Sequence, residues 1–177
     1  DGGAYDVTYL SPKDYHRVHA PVGGKVTGWR YVPGKLFPVN AGSVLREPGL
    51  FAKNERFVTV IDSEAGKCAV VMVAAVGVGH ITAAYDPEVT THGKGFPRDQ
   101  ITRKSFDQPI PIARGGEVGT FHLGSTSIVV FERGLPIGFI AASAEVHSGR
   151  LMLQRKESVA AAEEHFKAAV QTVQPAL

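Results

Sequence analysis

The stretch Phe57–Val78, FVTVIDSEAGKCAVVMVAAVGV, decides the fold class. Two runs rich in valine and isoleucine, Phe57–Asp62 and Ala69–Val78, flank the turn-like piece SEAGKC, and both are short for helices. Their β-branched content suits a pleated, mostly buried sheet. The apolar run from Cys68 to Gly79 ends at His80, well short of the roughly 20 residues a membrane-spanning helix needs. Cys68 is the single cysteine of the chain, so an internal disulfide is excluded, and its place in the run predicts a small buried hydrophobe.

Outward from this stretch the pattern repeats. Gly and Pro number 20 and 11, recurring in pieces such as PVGGKV, YVPGKL, GKGFPRD, ARGGEVG and ERGLPIG. Between them His80–Ala84, Ser127–Glu132, Ile137–Ala142 and Arg150–Gln154 also have strand character. The expected fold is therefore mostly β, a barrel-like sandwich of short strands.

Two helices are expected against that background. The first is SPKDYHRVHAP, with Ser11 as N-cap, Pro12 at the first helical position and Asp14 as the capping-box acid. Pro21 stops it near His19, so it spans about two turns and sets His16 and His19 on one face. The second runs from Glu157 to Val173, where Val159, Ala162, Phe166, Val170 and Val173 keep helical spacing.

With 177 residues, 44% hydrophobic and 20% charged, the chain reads as one ordinary domain with a core that needs no staple. Its net charge of +2, with basic residues scattered, gives no case for nucleic acid. The start, DGGAYDVTYL, has neither a basic nor an apolar region of a signal peptide.

Two constellations carry chemistry. His16 and His19 are open to three readings: half of a zinc site, for which His80, His92 and His122 are unattached further candidates; a general base or a polarising imidazole; or two structurally satisfied rings. In GTFHLGSTSIVVFE, Gly124 leaves its carbonyl open to attack and Ser125 supplies a hydroxyl beside it. Such a serine can add to the preceding carbonyl, turning amide into ester, and β-elimination then leaves a dehydroalanine that hydrolyses to a pyruvoyl group. The plain alternative is a turn before a strand.

Four segments together narrow these choices. YLSPKDYHRVHAP (Tyr9–Pro21), YVPGKLFPVN (Tyr31–Asn40), LFAKNERFV (Leu50–Val58) and FHLGSTSIVVFE (Phe121–Glu132) stand in the order and spacing of phosphatidylserine decarboxylases. From Val7 to Gln154 the chain resembles the long bacterial and mitochondrial type of that family. The resemblance implies a mostly β, self-processing lyase whose zymogen breaks between Gly124 and Ser125. Residues 1–124 would belong to the β chain and residues 125–177 to the α chain, with Ser125 becoming the covalent pyruvoyl cofactor and 156–177 a helical tail outside the resemblance.

It also implies roles for the histidines. His19 matches the histidine of the Ser/His/Asp charge relay of self-cleavage, and His16 the one tied to decarboxylation, where it is the proton-donor candidate. The pyruvoyl carbonyl would form a Schiff base with the amine of phosphatidylserine, act as electron sink for loss of CO2, and release phosphatidylethanolamine. No metal is required. Members are dimers of αβ units attached peripherally to a membrane, for a bacterium the cytoplasmic face of the inner membrane.

The family's relay aspartate is expected upstream of Asp1, as are the helices that sit on the membrane. Asp1, Asp14 and Asp62 match other positions, so the 177-residue chain alone is expected to process slowly. Competing readings are a pyruvoyl decarboxylase of another amine, a non-catalytic or stalled β-barrel lipid-binding module, and a metal hydrolase using His16 and His19. Phe37, Phe51, Phe57 and the Ala69–Val78 run are expected in the core rather than in an acyl groove.

Overall fold

A computed structural model describes residues 3–122 and 126–133 of the chain. Along these residues run β1 (Ala4–Tyr9), β2 (Arg17–His19), β3 (Gly24–Val32), α1 (Ala41–Arg46), α2 (Leu50–Lys53), β4 (Arg56–Ser63), β5 (Gly66–Val73), β6 (Ile81–Ala83), β7 (Thr102–Ile112), β8 (Glu117–Phe121) and β9 (Thr126–Phe131). They form a six-stranded sheet, β1-β9-β5-β4-β3-β7, and a three-stranded one, β2-β8-β6, with antiparallel pairing throughout. The mostly β expectation holds.

The FVTVID stretch shows how side-chain alternation makes the core. Phe57, Thr59 and Ile61 on β4 are fully buried, as are Val70 on β5 and Val26 and Tyr31 on β3. The opposite parity of Val26 and Tyr31 would put them on different faces of a regular strand. A bulge, in which Val26 faces Ile61 but Gly28 faces Val60, inserts Thr27 and turns Trp29 and Tyr31 inward as well. Val18, Ile81 and Phe121 from the small sheet close on this face to complete one core. Truncating a fully buried ring such as Phe57 to alanine is expected to cost about 3–5 kcal/mol.

Buried Asn54 ties two of the quoted segments together. Its Oδ1 accepts from the Phe37 N–H, and its Nδ2 donates to the Phe37 and Ala74 carbonyls, each at 2.9 Å. Phe37 lines an open concavity of about 650 Å³ with Lys35 and Lys53. Phe57 is core as expected, whereas Phe37 and Phe51 are only half-buried, Phe51 against Val73 and Ile128 on the far side of the large sheet.

Three expectations need correction. The helix expected over Ser11–His19 is absent: the reciprocal Ser11–Asp14 turn forms, with the Ser11 N–H donating to Asp14 Oδ2 at 2.7 Å and the Asp14 N–H to the Ser11 carbonyl at 2.8 Å, but the chain then enters β2. A two-turn helix is marginal in isolation. Pairing with β8 instead satisfies the backbone of this segment and buries Val18. Second, the run Ala69–Val78 is strand only to Val73, because Ala75 and Val78 bond each other across a turn containing Gly77. Third, strand also occupies β1, β3, β7 and β8, which the apolar runs did not mark, while the helices of the described residues are α1, capped by Asn40, and α2. Segments Ile137–Ala142, Arg150–Gln154 and Glu157–Val173 lie outside the described residues.

Candidate functional site: two neighbouring crossings between the sheets

The chain passes between the two sheets twice in the same place. β1 ends in the large sheet at Tyr9, and the segment through Ser11–Asp14 carries the chain to β2 in the small one. In return, β8 ends in the small sheet at Phe121 and β9 begins in the large one at Thr126. The two crossings share both margins: Tyr9 is paired with Thr126, and the Phe121 N–H donates to the His16 carbonyl at 3.0 Å. Residues 123–125, with Gly124 and Ser125, lie outside the described residues, but their described neighbours on each side are bound to the ends of the YLSPKDYH segment.

β2 is held on β8 by registered pairs Arg17↔Thr120, Val18↔Gly119 and His19↔Glu117. Gly119 is required by close approach, since a Cβ there would stand 2.4 Å from the Thr82 carbonyl oxygen of β6. The Arg17–Glu117 ion pair at 2.6 Å crosses the same ladder, exposed enough to add little energy.

The ring of His19 is held at both nitrogens. Nδ1 lies 2.8 Å from the Gly115 carbonyl, which can only accept, so Nδ1 carries the proton and Nε2 of the neutral ring accepts from the Tyr15 hydroxyl, also at 2.8 Å. The Tyr15 ring stacks on the imidazole, 5.5 Å between centroids and 7° from parallel. Gly115 has φ +79°, a conformation that aims its carbonyl at the ring and that L side chains resist.

His16 has the opposite tautomer. Its Nε2 donates to the Pro12 carbonyl at 3.2 Å, leaving the Nδ1 lone pair buried and without a hydrogen-bond partner among the described residues. His16 precedes β2 and a register shift separates Val18 from His19, so the helical spacing of the two rings is gone. The shared face expected of a helix is therefore lost, and with it the basis for a two-histidine metal pair.

Four buried polar side-chain atoms lack partners among the described residues, and three of them, Ser11 Oγ, His16 Nδ1 and Thr126 Oγ1, belong to the two crossings. Buried polar groups are normally satisfied. Asp14 closes the Ser11 turn, and Asp62 faces Lys25 and Lys67 in the large sheet.

At the outer margin His80 and His122 stack, 4.0 Å between centroids, and the His122 N–H donates to the His80 carbonyl. Burial, then the neighbouring His122 and His92, holds His80 below the usual histidine value. His92 sits 3.0 Å from buried Glu55. Tyr15, Gly115 and Thr126 were missed in the sequence: a Gly-Gly pair signals a turn, but not which carbonyl it presents.

The protein-family model described as Phosphatidylserine decarboxylase matches residues 1–164. Three curated relatives are each named Phosphatidylserine decarboxylase proenzyme. That of Anaeromyxobacter sp. (strain K) is 54% identical over 133 residues, 75% of this chain and 46% of the relative. That of Myxococcus xanthus (strain DK1622) is 53% identical over 131 residues, 74% and 45%. That of Saccharophagus degradans is 41% identical over 135 residues, 75% and 46%. The chain thus spans about half the length of the curated relatives it matches. No helix among the described residues is long and apolar enough to cross a membrane. On the family match and these identities, the chain belongs to the phosphatidylserine decarboxylase family.

Proposed function

We propose that this chain is the catalytic part of a self-processing phosphatidylserine decarboxylase, a carboxy-lyase that converts phosphatidylserine to phosphatidylethanolamine and CO2. The observation that supports this best is the shared margin of the two crossings: the histidine-bearing segment is bound at Thr126 and at Phe121, on either side of Gly124-Ser125.

In processing, the Ser125 hydroxyl adds to the Gly124 carbonyl as its proton passes to His19 Nε2, once the Tyr15 hydroxyl has turned away. Gly115 keeps Nδ1 protonated, so Nε2 is the basic nitrogen. Collapse breaks the C–N bond and gives the ester. Loss of the Ser125 Cα proton expels the Gly124 carboxylate, and the resulting dehydroalanine takes up water and releases ammonia, leaving a pyruvoyl group. That group supplies a carbonyl that can condense with the substrate's primary amine and draw electrons from the Cα–CO2 bond. His16 is the proton donor to the substrate Cα: with Nε2–H committed to Pro12, protonation at Nδ1 creates the one uncommitted ring N–H. Thr126 Oγ1 is a hydrogen-bond donor beside the new terminus.

The β chain then ends at Gly124 and the α chain begins at residue 125, with αβ units pairing as dimers peripherally attached to the cytoplasmic face of a bacterial inner membrane, where the lipid substrate lies. Intact mass of the protein produced from its complete gene, with amine labelling, tests the reading. Two fragments meeting at Gly124/Ser125 are expected, the second short of ammonia and refractory to the label, and Ser125→Ala is expected to leave one mass. A single unbroken mass from the unsubstituted protein would overturn it.

A further inference from the structure

His80 and His122 face each other across β6 and β8, just beyond the pair Ile81↔Phe121, and His122 is followed directly by Leu123-Gly124. Their rings are 17° from parallel, with His80 Nε2 2.8 Å from Thr90 Oγ1 and His122 Nε2 3.1 Å from Thr82 Oγ1. Resting on the processing reading above, we infer that His80 is a positioning residue for self-cleavage: its stack holds His122, and so the start of the segment to be cut, and the hold fails when both rings are charged.

Two neutral rings attract as an aromatic pair, and one charged ring over a neutral one gains a cation–π contact. Two charged rings at 4.0 Å repel. The other titratable group facing His80 is His92, from the loop after β6; His92 Nε2 lies 3.0 Å from Glu55 Oε1, and Arg98 lies 3.8 Å from the other oxygen of the same carboxylate. Glu55 therefore offsets charge on His92 rather than on His80. Burial and the charges of His122 and His92 already disfavour a proton on His80, so the second proton enters the stack only as pH falls below the ordinary histidine value of 6.5.

The test compares self-cleavage rates against pH in the full protein and in two variants. His80→Phe keeps a stacked ring without a charge, and His80→Ala removes the ring. The unsubstituted protein is expected to lose rate in acid more steeply than His80→Phe, which lacks the second charge of the stack. His80→Phe should keep its rate at mildly alkaline pH. His80→Ala should be slower by about fivefold at mildly alkaline pH, the scale of one aromatic pair, with the gap to the unsubstituted protein closing in acid. Equal rates for His80→Ala and the unsubstituted protein at mildly alkaline pH, or an acid limb as steep in His80→Phe as in the unsubstituted protein, would overturn the inference alone. Ring titration by NMR in the uncleavable Ser125→Ala protein is independent of cleavage: a His80 midpoint below the ordinary histidine value of 6.5 is expected, and one at or above it would overturn it. No cleavage in any protein would instead take down the processing reading, and the positioning role with it.

Discussion

The Nδ1–H of His19 donates to the carbonyl of Gly115, 2.8 Å away in space and 96 residues away along the chain. This bond selects the tautomer of the ring and depends on a backbone conformation that glycine alone adopts at low cost. Gly115→Ala is expected to lose about 1–2 kcal/mol of stability and to slow self-cleavage beyond what the lost stability explains. Thermal melting and an intact-mass time course check the two effects, and nitrogen shifts of His19 report the tautomer.

Tyr15 occupies the nitrogen that the proposed mechanism uses as base. Tyr15→Phe keeps the stacked ring and removes the competing hydroxyl. Cleavage should speed up by as much as about fivefold, the worth of one net hydrogen bond. A slower rate in the same time course would make the hydroxyl a proton carrier instead.

Buried Asp86 accepts from the Trp29 indole N–H at 2.8 Å and pairs with Lys104 at 3.0 Å. Burial pushes its carboxyl up, but Trp29, Lys104 and the Glu88 N–H together bring it below the ordinary 3.8. A lowered carboxylate favours folding at pH above 3.8 and loses that contribution as pH falls through its folded value. Asp86→Ala strands the indole N–H, so a loss of about 1–3 kcal/mol at neutral pH is expected by urea unfolding, with the gap to the unsubstituted protein narrowing in acid.

Burial pushes the Cys68 thiol up to about 12. At mildly alkaline pH it is expected to stay protonated and to resist a thiol reagent in the folded protein, reacting at once in denaturant. Fast labelling of the native protein would contradict the burial of Cys68.

If the chain is cut at Gly124/Ser125, β9 stays clamped between β1 and β5, with six registered residue pairs on each side. The two fragments should co-elute in native size exclusion and separate only in denaturant. Spontaneous separation would contradict this clamping.

Strand content was legible because its signal is local. FVTVID and SIVVFE carry a run of apolar, β-branched residues whichever neighbours they find, and both proved to be strands. β7, TRKSFDQPIPI, was hidden because it is a partly exposed edge strand with two prolines and little apolar patterning. The Ser11–His19 segment misled for a related reason: its capping signals are genuine and form their turn, yet the bond that turns the next residues into strand comes from Phe121, which no local pattern announces.

The sequence by itself determined the mostly β class, the burial of Cys68 and, through four ordered segments, the family. Tertiary structure alone decided that the Tyr9–His16 segment lies beside the β8–β9 connection, that Gly115 and Tyr15 hold His19, and that His80 stacks on His122. Periodicity and turn chemistry act over a few residues and can be read along the chain. The chemistry of the crossings depends on which backbone carbonyl or ring arrives from about a hundred residues away, and that is set by long-range sheet register and core packing.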